Sequence, residues 1–242
     1  MSHPQIIDAH VMLGQEFGLV LDREELLRRM DRHGIRTALA RPLGAELAVA
    51  NRAGNDRVLG AGPRLAALVS VNPWYGAPAL DELERCRGLG AAGLFLHPSR
   101  QGFLPTDPVA ACVLDRAAEY RWPVMFHTGT YIHSDVLAVA EVARAYPDTP
   151  CILGFGGFAD MWFEVVSAMR DVPNLWLETS TTLGDGIRAV VRAVGANRVL
   201  FGSGEPRNRY AAALRTLDRI GLSGPQKEAI LSTNAQRLFK LP

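Results

Sequence analysis

The sequence predicts an α/β protein, a (β/α)8 TIM barrel that forms a single domain over residues 1–242. Two observations support this prediction. Short runs of Val, Ile, Leu and Phe recur at intervals of roughly thirty residues, and each is followed by a segment with helical periodicity and charged faces. Strands that are buried on both faces and alternate with helices, without hairpin turns, are typical of a parallel sheet. Eight such units indicate a closed barrel.

The predicted elements follow one another without a linker, a repeat or a low-complexity tract. The predicted strands span residues 6–11, 37–42, 65–71, 91–98, 123–129, 150–157, 175–180 and 198–205. Amphipathic segments predict helices over residues 22–34, 79–90, 107–120 and 134–147. Asp22 is the candidate N-cap of the first helix, and Gly34 is its candidate stop.

The composition is that of an ordinary soluble globular protein. Apolar residues make up 48% of the chain, charged residues 21%, and the formal net charge is +1. We therefore expect no nucleic-acid partner, no membrane partner and a cytoplasmic location. Cys86, Cys112 and Cys151 lack CxxC spacing, so we interpret them as small buried hydrophobic residues. The assembly stays open, with a homodimer as one candidate.

Three histidines end predicted strands. Active sites of such barrels lie at the carboxyl ends of the strands, where His10, His97 and His127 would meet. Glu178 and Glu205 close the seventh and eighth predicted strands. We expect these five residues to be catalytic, although a histidine at a strand end can also simply hydrogen-bond a loop carbonyl.

Aromatic and cationic residues lie at the same ends or in the loops that follow. The candidate substrate-binding residues are Met12, Arg41, Trp74, Phe103, Tyr131, Phe155 and Arg207. Any single aromatic residue among them could instead pack a loop. As a group they indicate an apolar pocket for a planar or hydrophobic small molecule, with an arginine placed to bind an anion.

Motifs along nearly the whole chain resemble, in order, those of the amidohydrolase-related family. This is the branch of metal-dependent barrel hydrolases and decarboxylases that includes aminocarboxymuconate-semialdehyde decarboxylase. The motifs are "IIDAH", "RMDRHGIRTALARP", "VSVNPW", "GLFLHPSRQGF", "PVMFHTG", "RVLFGS" and the tail "ILSTNAQRLFKL".

The resemblance implies a divalent metal with five protein ligands. These are an HxH pair on the first strand, a histidine on the fifth, a histidine on the sixth and an aspartate on the eighth. His10 and His127 match this pattern. The other three positions hold Met12, Phe155 within "LGFGG" and Gly204 within "GSGEP".

Two imidazoles alone fall short of the roughly three protein ligands of a catalytic zinc site. Met12 offers a thioether, which suits Cu(I) better than zinc. Glu205 points away from the site by strand parity unless a bulge turns it, and the direction of Glu178 stays open. The resemblance also implies that the missing aspartate would be a base for metal-bound water, and Gly204 removes that base. We expect no tightly bound metal and no cofactor.

The first functional hypothesis is a metal-independent enzyme in which His127 and His10 act as general acid and base. Its substrate would be a small apolar or aromatic carboxylate or lactone. Hydrolysis comes first, before decarboxylation or another lyase or isomerase step. The alternatives are a non-catalytic barrel that binds a ligand or partner, and a metal-dependent hydrolase with non-standard ligands. Retention of both histidines favours an enzyme.

The same substitutions predict the character of the pocket. We expect a dry, apolar pocket with Phe155 and Met12 in its wall, His127 as its main polar group and uncovered backbone at Gly204.

Overall fold

The computed structural model describes residues 5–130, 132–158 and 161–242, and Tyr131, a predicted substrate-binding residue, lies outside them. The strands are β1 (Ile6–Glu16), β2 (Leu19–Leu21), β3 (Ile35–Pro42), β4 (Leu65–Val69), β5 (Gly93–Leu96), β6 (Val124–His127), β7 (Cys151–Gly154), β8 (Leu175–Glu178) and β9 (Val199–Leu200). The helices are α1 (Arg23–Arg32), α2 (Ala45–Ala48), α3 (Asn51–Leu59), α4 (Ala77–Gly88), α5 (Pro98–Gln101), α6 (Pro108–Glu119), α7 (Val136–Ala145), α8 (Trp162–Asp171), α9 (Gly184–Val194), α10 (Tyr210–Arg219), α11 (Gly224–Glu228) and α12 (Asn234–Phe239).

The strands close into the predicted (β/α)8 barrel. β1 pairs in parallel with β3, and each later strand pairs in parallel with the one before it, through β9. The ring closes where the chain after β9 meets β1. The backbone N–H of Ala9 donates to Phe201 O at 2.8 Å, and that of Met12 donates to Glu205 O at 2.9 Å. The prediction of a barrel is confirmed.

Alternate residues of each strand pack inside and outside the barrel. The interior cluster consists of Ile7, Ala9, Leu39, Leu68, Phe95, Met125, Ile152, Trp176 and Leu200, together with residues from α2 and α12. The opposite faces of the strands pack against the surrounding helices in a larger cluster. Because side chains alternate along a strand, each strand needs apolar residues on both faces, which explains the continuous apolar runs of the sequence.

A hairpin departs from the prediction. β1 continues past residue 11 to Glu16, and the chain turns at Phe17 and Gly18 into β2, which pairs antiparallel with the end of β1. Both turn residues have positive φ, 45° and 79°. The expectation that hairpins are absent was therefore wrong here, and this excursion extends β1 beyond the other strands.

The predicted helices form with ends shifted by a few residues. Asp22 caps α1 as predicted, since its Oδ1 accepts a hydrogen bond from Glu25 N at 2.8 Å. Within the described ranges, no helix is long and apolar enough to cross a membrane.

Candidate active site

A cavity of about 590 Å³ opens at the carboxyl ends of the strands. Its lining consists of Glu16, Phe17, Arg41, Leu43, Leu47, His97, Ser99, Arg100, His127, Thr130, Phe155, Phe158, Thr181, Arg207 and Asn208. Phe155 and Phe158 stack at 5.8 Å between centroids and form an apolar wall. This wall agrees with the expected apolar pocket. The expectation of His127 as the main polar group was wrong, because the lining also includes Glu16 of the β1 hairpin, Arg41 of β3, Arg100 of α5 and Arg207.

His10 lies beneath the cavity in a fully paired state. Its Nδ1 is 2.7 Å from Glu178 Oε2, and its Nε2 is 2.9 Å from Arg41 Nε. Because a guanidinium can only donate, His10 Nε2 is the acceptor and the ring proton sits on Nδ1, which donates to Glu178. Burial lowers the pKa of His10, in agreement with a neutral imidazole. The network therefore fixes both the tautomer and the ring orientation.

Glu178 is the buried acceptor of this network. It also accepts hydrogen bonds from Phe155 N at 3.0 Å, Ser180 N at 2.5 Å and Ser180 Oγ at 3.0 Å. A Cβ at Gly202 would lie 1.7 Å from Glu178 Oε1, so glycine at this position makes room for the carboxylate. The direction of Glu178, left open by the sequence, is thus toward His10.

Arg41 places a positive charge at the floor of the cavity. Its Nη2 donates to Met12 Sδ at 2.9 Å and its Nη1 donates to Pro42 O at 2.8 Å. The guanidinium carbon lies 4.2 Å from the centroid of the Phe95 ring. Burial and, next, the charge of Arg207 lower the pKa of Arg41 to about 9, so the group is charged at neutral pH.

His97 and His127 form a second histidine site on the opposite side. Their rings stack with centroids 3.8 Å apart and planes 17° apart. Burial holds the pKa of each well below its usual range; the next cause is His127 for His97 and Arg41 for His127. His127 Nε2 lies 3.0 Å from Thr130 Oγ1, whereas its buried Nδ1 has no partner among the described residues. Neutral imidazoles of this kind can accept a proton.

Glu16 joins two loops across the mouth. It is buried and forms ion pairs with Arg100 of α5 and with Arg207, which follows the last strand. With Arg41, these arginines outnumber the single carboxylate that lines the cavity, which favours an anionic ligand. Sequence reasoning missed Glu16 because the predicted first strand ended at residue 11, and no other sequence signal marks it.

Five of the predicted site residues line the cavity: Arg41, His97, His127, Phe155 and Arg207. Two aromatic candidates do not. Trp74 is 59% exposed and donates from Nε1 to Gly102 O at 3.1 Å. Phe103 is buried in the core between the sheet and the helices. Both predictions placed a ring in the pocket from a strand-end loop position, which does not fix the direction of a side chain; neither ring lines this cavity.

Two further candidates also lie outside the cavity lining. Glu205 is buried and accepts from Arg29 Nη1 of α1 at 2.6 Å, so it points out of the barrel, as strand parity indicates, and not toward the substrate. Met12 is fully buried behind the cavity wall, where it clusters with Leu43 and Phe155 and accepts a hydrogen bond from Arg41. These placements do not fit a catalytic role for Glu205 or direct substrate contact by Met12.

Asp8 lies next to His10 on β1, below the cavity. Its Oδ1 accepts from His10 N at 3.0 Å and from Ser203 N at 2.9 Å, and Ser203 Oγ donates to Oδ2. Burial raises the pKa of Asp8 to about 7. This carboxyl group therefore joins the first strand to the chain that follows the last one.

The donor set does not fit the divalent metal that the motif resemblance implies. Arg41 occupies the Nε2 lone pair of His10. The Phe155 ring stands between the two remaining histidines, 4.6 Å from the His10 ring and 4.9 Å from the His127 ring between centroids. Over residues 5–130, 132–158 and 161–242, no group of three or more His, Cys, Asp or Glu side chains is placed to hold a metal.

The third substituted position is also filled. Gly204 has a φ of +71°, and a Cβ there would lie 3.0 Å from Ser180 Cβ. The expectation of uncovered backbone at this position was wrong, because Ser180 packs against it. An aspartate at residue 204 would be strained in this backbone.

The architecture defines the class of the protein: a (β/α)8 barrel with buried polar residues at the carboxyl ends of its strands, the end that barrel enzymes use for catalysis. The chain belongs to the amidohydrolase family, whose sequence profile matches residues 22–241. β1, which carries His10, precedes the matched range. No protein with a curated function matches the chain.

Solved structures with this fold include several decarboxylases. 2,6-Dihydroxybenzoate decarboxylase from Rhizobium is 18% identical, with a TM-score of 0.79 over 99% of both chains. 5-Carboxyvanillate decarboxylase from Sphingomonas paucimobilis is 15% identical, with a TM-score of 0.80 over 99% of this chain and 100% of that one. A dihydroxybenzoic acid decarboxylase from Polaromonas, with bound manganese and the inhibitor 2-nitroresorcinol, is 17% identical, with a TM-score of 0.79 over 99% and 98%. At these identities the likeness establishes the fold.

Proposed function

We propose that this protein is a metal-independent enzyme that hydrolyses a small carboxylate of lactone or ester type. The observation that carries the proposal is the position of His127, which lines the cavity with its Nε2 3.0 Å from the Thr130 hydroxyl. Burial lowers the pKa of this imidazole. A base that is uncharged at neutral pH and reachable from the cavity can take a proton from water without a metal ion.

The arginines supply binding and charge stabilisation. A substrate carboxylate would bind to Arg41, Arg100 or Arg207, since a guanidinium offers paired donors to two carboxylate oxygens. The stacked rings of Phe155 and Phe158 would cover the planar apolar part of the substrate. This arrangement matches a small anion with a flat apolar body.

The chemical step would use His127 first as a base and then as an acid. A water that takes the place of the Thr130 hydroxyl at Nε2 gives its proton to the imidazole, and its oxygen bonds to the acyl carbon. The carbon–oxygen bond of the ester then breaks, and the imidazolium returns the proton to the leaving oxygen. A general base of this kind contributes about 10²–10⁴-fold to the rate.

Decarboxylation is the second candidate. It is favoured by the aromatic wall beside the arginines and by the fold shared with the decarboxylases of aromatic acids. That reaction must place a proton on carbon after carbon dioxide leaves. Burial lowers the pKa of His127, so its imidazole starts the reaction as a base and not as the proton donor that this step needs, which is why hydrolysis stands first.

The test is a substrate panel assayed with protein stripped of metal by a chelating resin. It would include 2-pyrone-4,6-dicarboxylate, simple aromatic lactones, 2,6-dihydroxybenzoate and 5-carboxyvanillate. We expect ring opening, followed by acid release, at a rate unchanged by EDTA. Turnover that disappears with EDTA and returns with Mn²⁺ or Zn²⁺ would contradict metal independence. Carbon dioxide release without ring opening would favour decarboxylation, and binding without any turnover would favour the non-catalytic barrel.

A further inference from the structure

We infer that the guanidinium of Arg41 takes the place of the metal ion: it is a cation built into the chain, bound by the side chains that would otherwise ligate a metal. Two of the five implied ligand positions, His10 and Met12, contact this one group, at 2.9 Å each. This inference goes beyond the proposed reaction and stands apart from it.

The contact with His10 shows the substitution directly. A metal ion binds the lone pair of a neutral imidazole nitrogen, and the opposite N–H of such a histidine usually donates to a carboxylate. His10 has this arrangement, with Nδ1 paired to Glu178, but Arg41 Nε occupies the lone pair of Nε2. The histidine is oriented as a ligand, and its ligand is a guanidinium.

Arg41 also keeps N–H donors that correspond to the open position of a metal ion. A guanidinium has five N–H groups. Three of them reach His10, Met12 and Pro42, which leaves one on each terminal nitrogen without a partner among the described residues. Arg41 lines the cavity, so these donors are assigned to an oxygen of the substrate. Arg41 would thus polarise or bind a carbonyl or carboxylate oxygen, as a metal ion does through its open position.

The same charge keeps a metal ion out. A divalent cation at His10 would have to displace Arg41 from Nε2 and then stay close to a like charge that is buried with it. Replacing the lost ligands is therefore not sufficient to restore metal binding. The obstacle is the arginine, and its removal should be required.

The decisive experiment compares two sets of ligands with and without Arg41. Met12→His/Phe155→His adds two imidazoles beside His10 and avoids the strained position 204. The second variant carries the same changes plus Arg41→Met, which removes the charge and keeps an unbranched side chain. Zinc content is measured by mass spectrometry after dialysis, and zinc affinity is measured by calorimetry with zinc chloride alone. Arg41→Met in the otherwise native chain controls for loss of the charge alone.

We expect about one zinc per chain in the triple variant and at least ~100-fold weaker zinc binding in the double variant, because only the first frees His10 Nε2 for a three-imidazole site. Equal, stoichiometric zinc binding by both variants would overturn the inference. So would a folded triple variant that binds no more zinc than the double variant. Circular dichroism of each variant identifies those that are folded.

A second measurement covers the case in which the multiple variants do not fold. Arg41→Ala leaves a space that methylguanidinium fits, so methylguanidinium chloride should raise its thermal midpoint while sodium chloride at the same ionic strength should not. Equal effects of the two salts would show that the site does not select a guanidinium and would overturn the inference. Both measurements are independent of turnover, so failure of the proposed hydrolysis leaves them valid.

Discussion

The two histidine sites at the mouth of the barrel are built in opposite ways. His10 has both ring nitrogens paired, one with Glu178 and one with Arg41, and these partners are themselves buried. His127 has one nitrogen near the Thr130 hydroxyl and a buried Nδ1 without a partner among the described residues. A buried polar network stabilises a fold only when it is satisfied, whereas an unpaired buried nitrogen costs free energy. The difference teaches that His10 is held by its neighbours, whereas His127 keeps a ring nitrogen that a ligand in the cavity could reach.

The largest effect should come from His127. His127→Gln removes the proposed base, so turnover in the panel assay should fall by about 10²–10⁴-fold. The thermal midpoint should stay close to that of the wild type because, among the described residues, the substitution can break only one side-chain hydrogen bond of His127. His133→Ala is the matched control. His133 follows the same strand, β6, and is half-buried, but it does not line the cavity. Wild-type turnover in His127→Gln would contradict the proposal that His127 is the base.

The complementary change is His10→Ala, which should act on stability. It leaves Glu178 and Arg41 buried without their shared partner, and breaking such a buried network costs about 3–5 kcal/mol in free energy of unfolding. Urea denaturation measures this loss. In a double-mutant cycle with Glu178→Gln we expect a coupling of about 0.5–3 kcal/mol. A loss below about 1 kcal/mol, the usual scale of a single neutral hydrogen bond, would mean that the paired site is no more structural than the open one.

Gly202→Ala tests the packing behind the paired site. The new methyl group would lie 1.7 Å from Glu178 Oε1, so the carboxylate must move off His10. Overpacking of this kind costs about 1–3 kcal/mol, read from the urea midpoint. Gly88→Ala in α4 is the control, since a Cβ added at this position would have nothing in the described ranges within 4 Å. We expect it to leave the free energy of unfolding unchanged or to raise it by up to ~1 kcal/mol. Equal effects of both changes would contradict the packing argument.

The smallest effect concerns pH. Folding lowers the pKa of His10, His97 and His127 below the 6.5 of an unfolded chain. Their contribution to the free energy of unfolding is therefore fully present above pH 6.5 and is lost as the pH falls through their pKa values in the folded protein. Asp8 acts in the opposite sense, because its raised pKa gives a contribution that is present below 3.8 and lost as the pH rises through about 7.

With three histidines against one carboxyl group, we expect the urea midpoint to fall between about pH 7.5 and about pH 5. His127→Gln should make this fall shallower. A midpoint that rises on acidification would show that Asp8 dominates, and a slope unchanged in the variant would show that His127 is not buried in its neutral form.

The barrel could be predicted because its signal is local. Each strand needs apolar residues on both faces, so the strands that end at His97 and His127 can be recognised in the sequence as continuous apolar runs. The hairpin that ends β1 could not be predicted in this way, since "MLGQEFGLVL" has one weak turn signal at Gly18 and no clean alternation. Local patterns identify elements, and they leave excursions such as this one unmarked.

The candidate site was predictable in position and less so in direction. Strand ends placed His97, His127 and Arg41 at one mouth because parallel strands share their carboxyl ends. The contact of Arg41 with His10 joins positions 31 residues apart and depends on the rotamer of a long side chain, which no pattern encodes. Trp74 shows the same limit, since its loop was predicted to lie near the mouth while its ring is exposed and outside the cavity lining.

An anion that binds to Arg100 or Arg207 at the mouth would have to displace the carboxylate of Glu16. Its carboxylate already neutralises part of the charge of Arg100 and Arg207, so an incoming anion competes with a ligand tethered to the same chain. Such a tether acts as a high effective concentration of carboxylate at the entrance. A ligand with a single negative charge gains little by displacing it, whereas one with a second anionic group can reach Arg41 at the same time. Through Glu16 the hairpin would thus select ligands by their charge, independently of their shape.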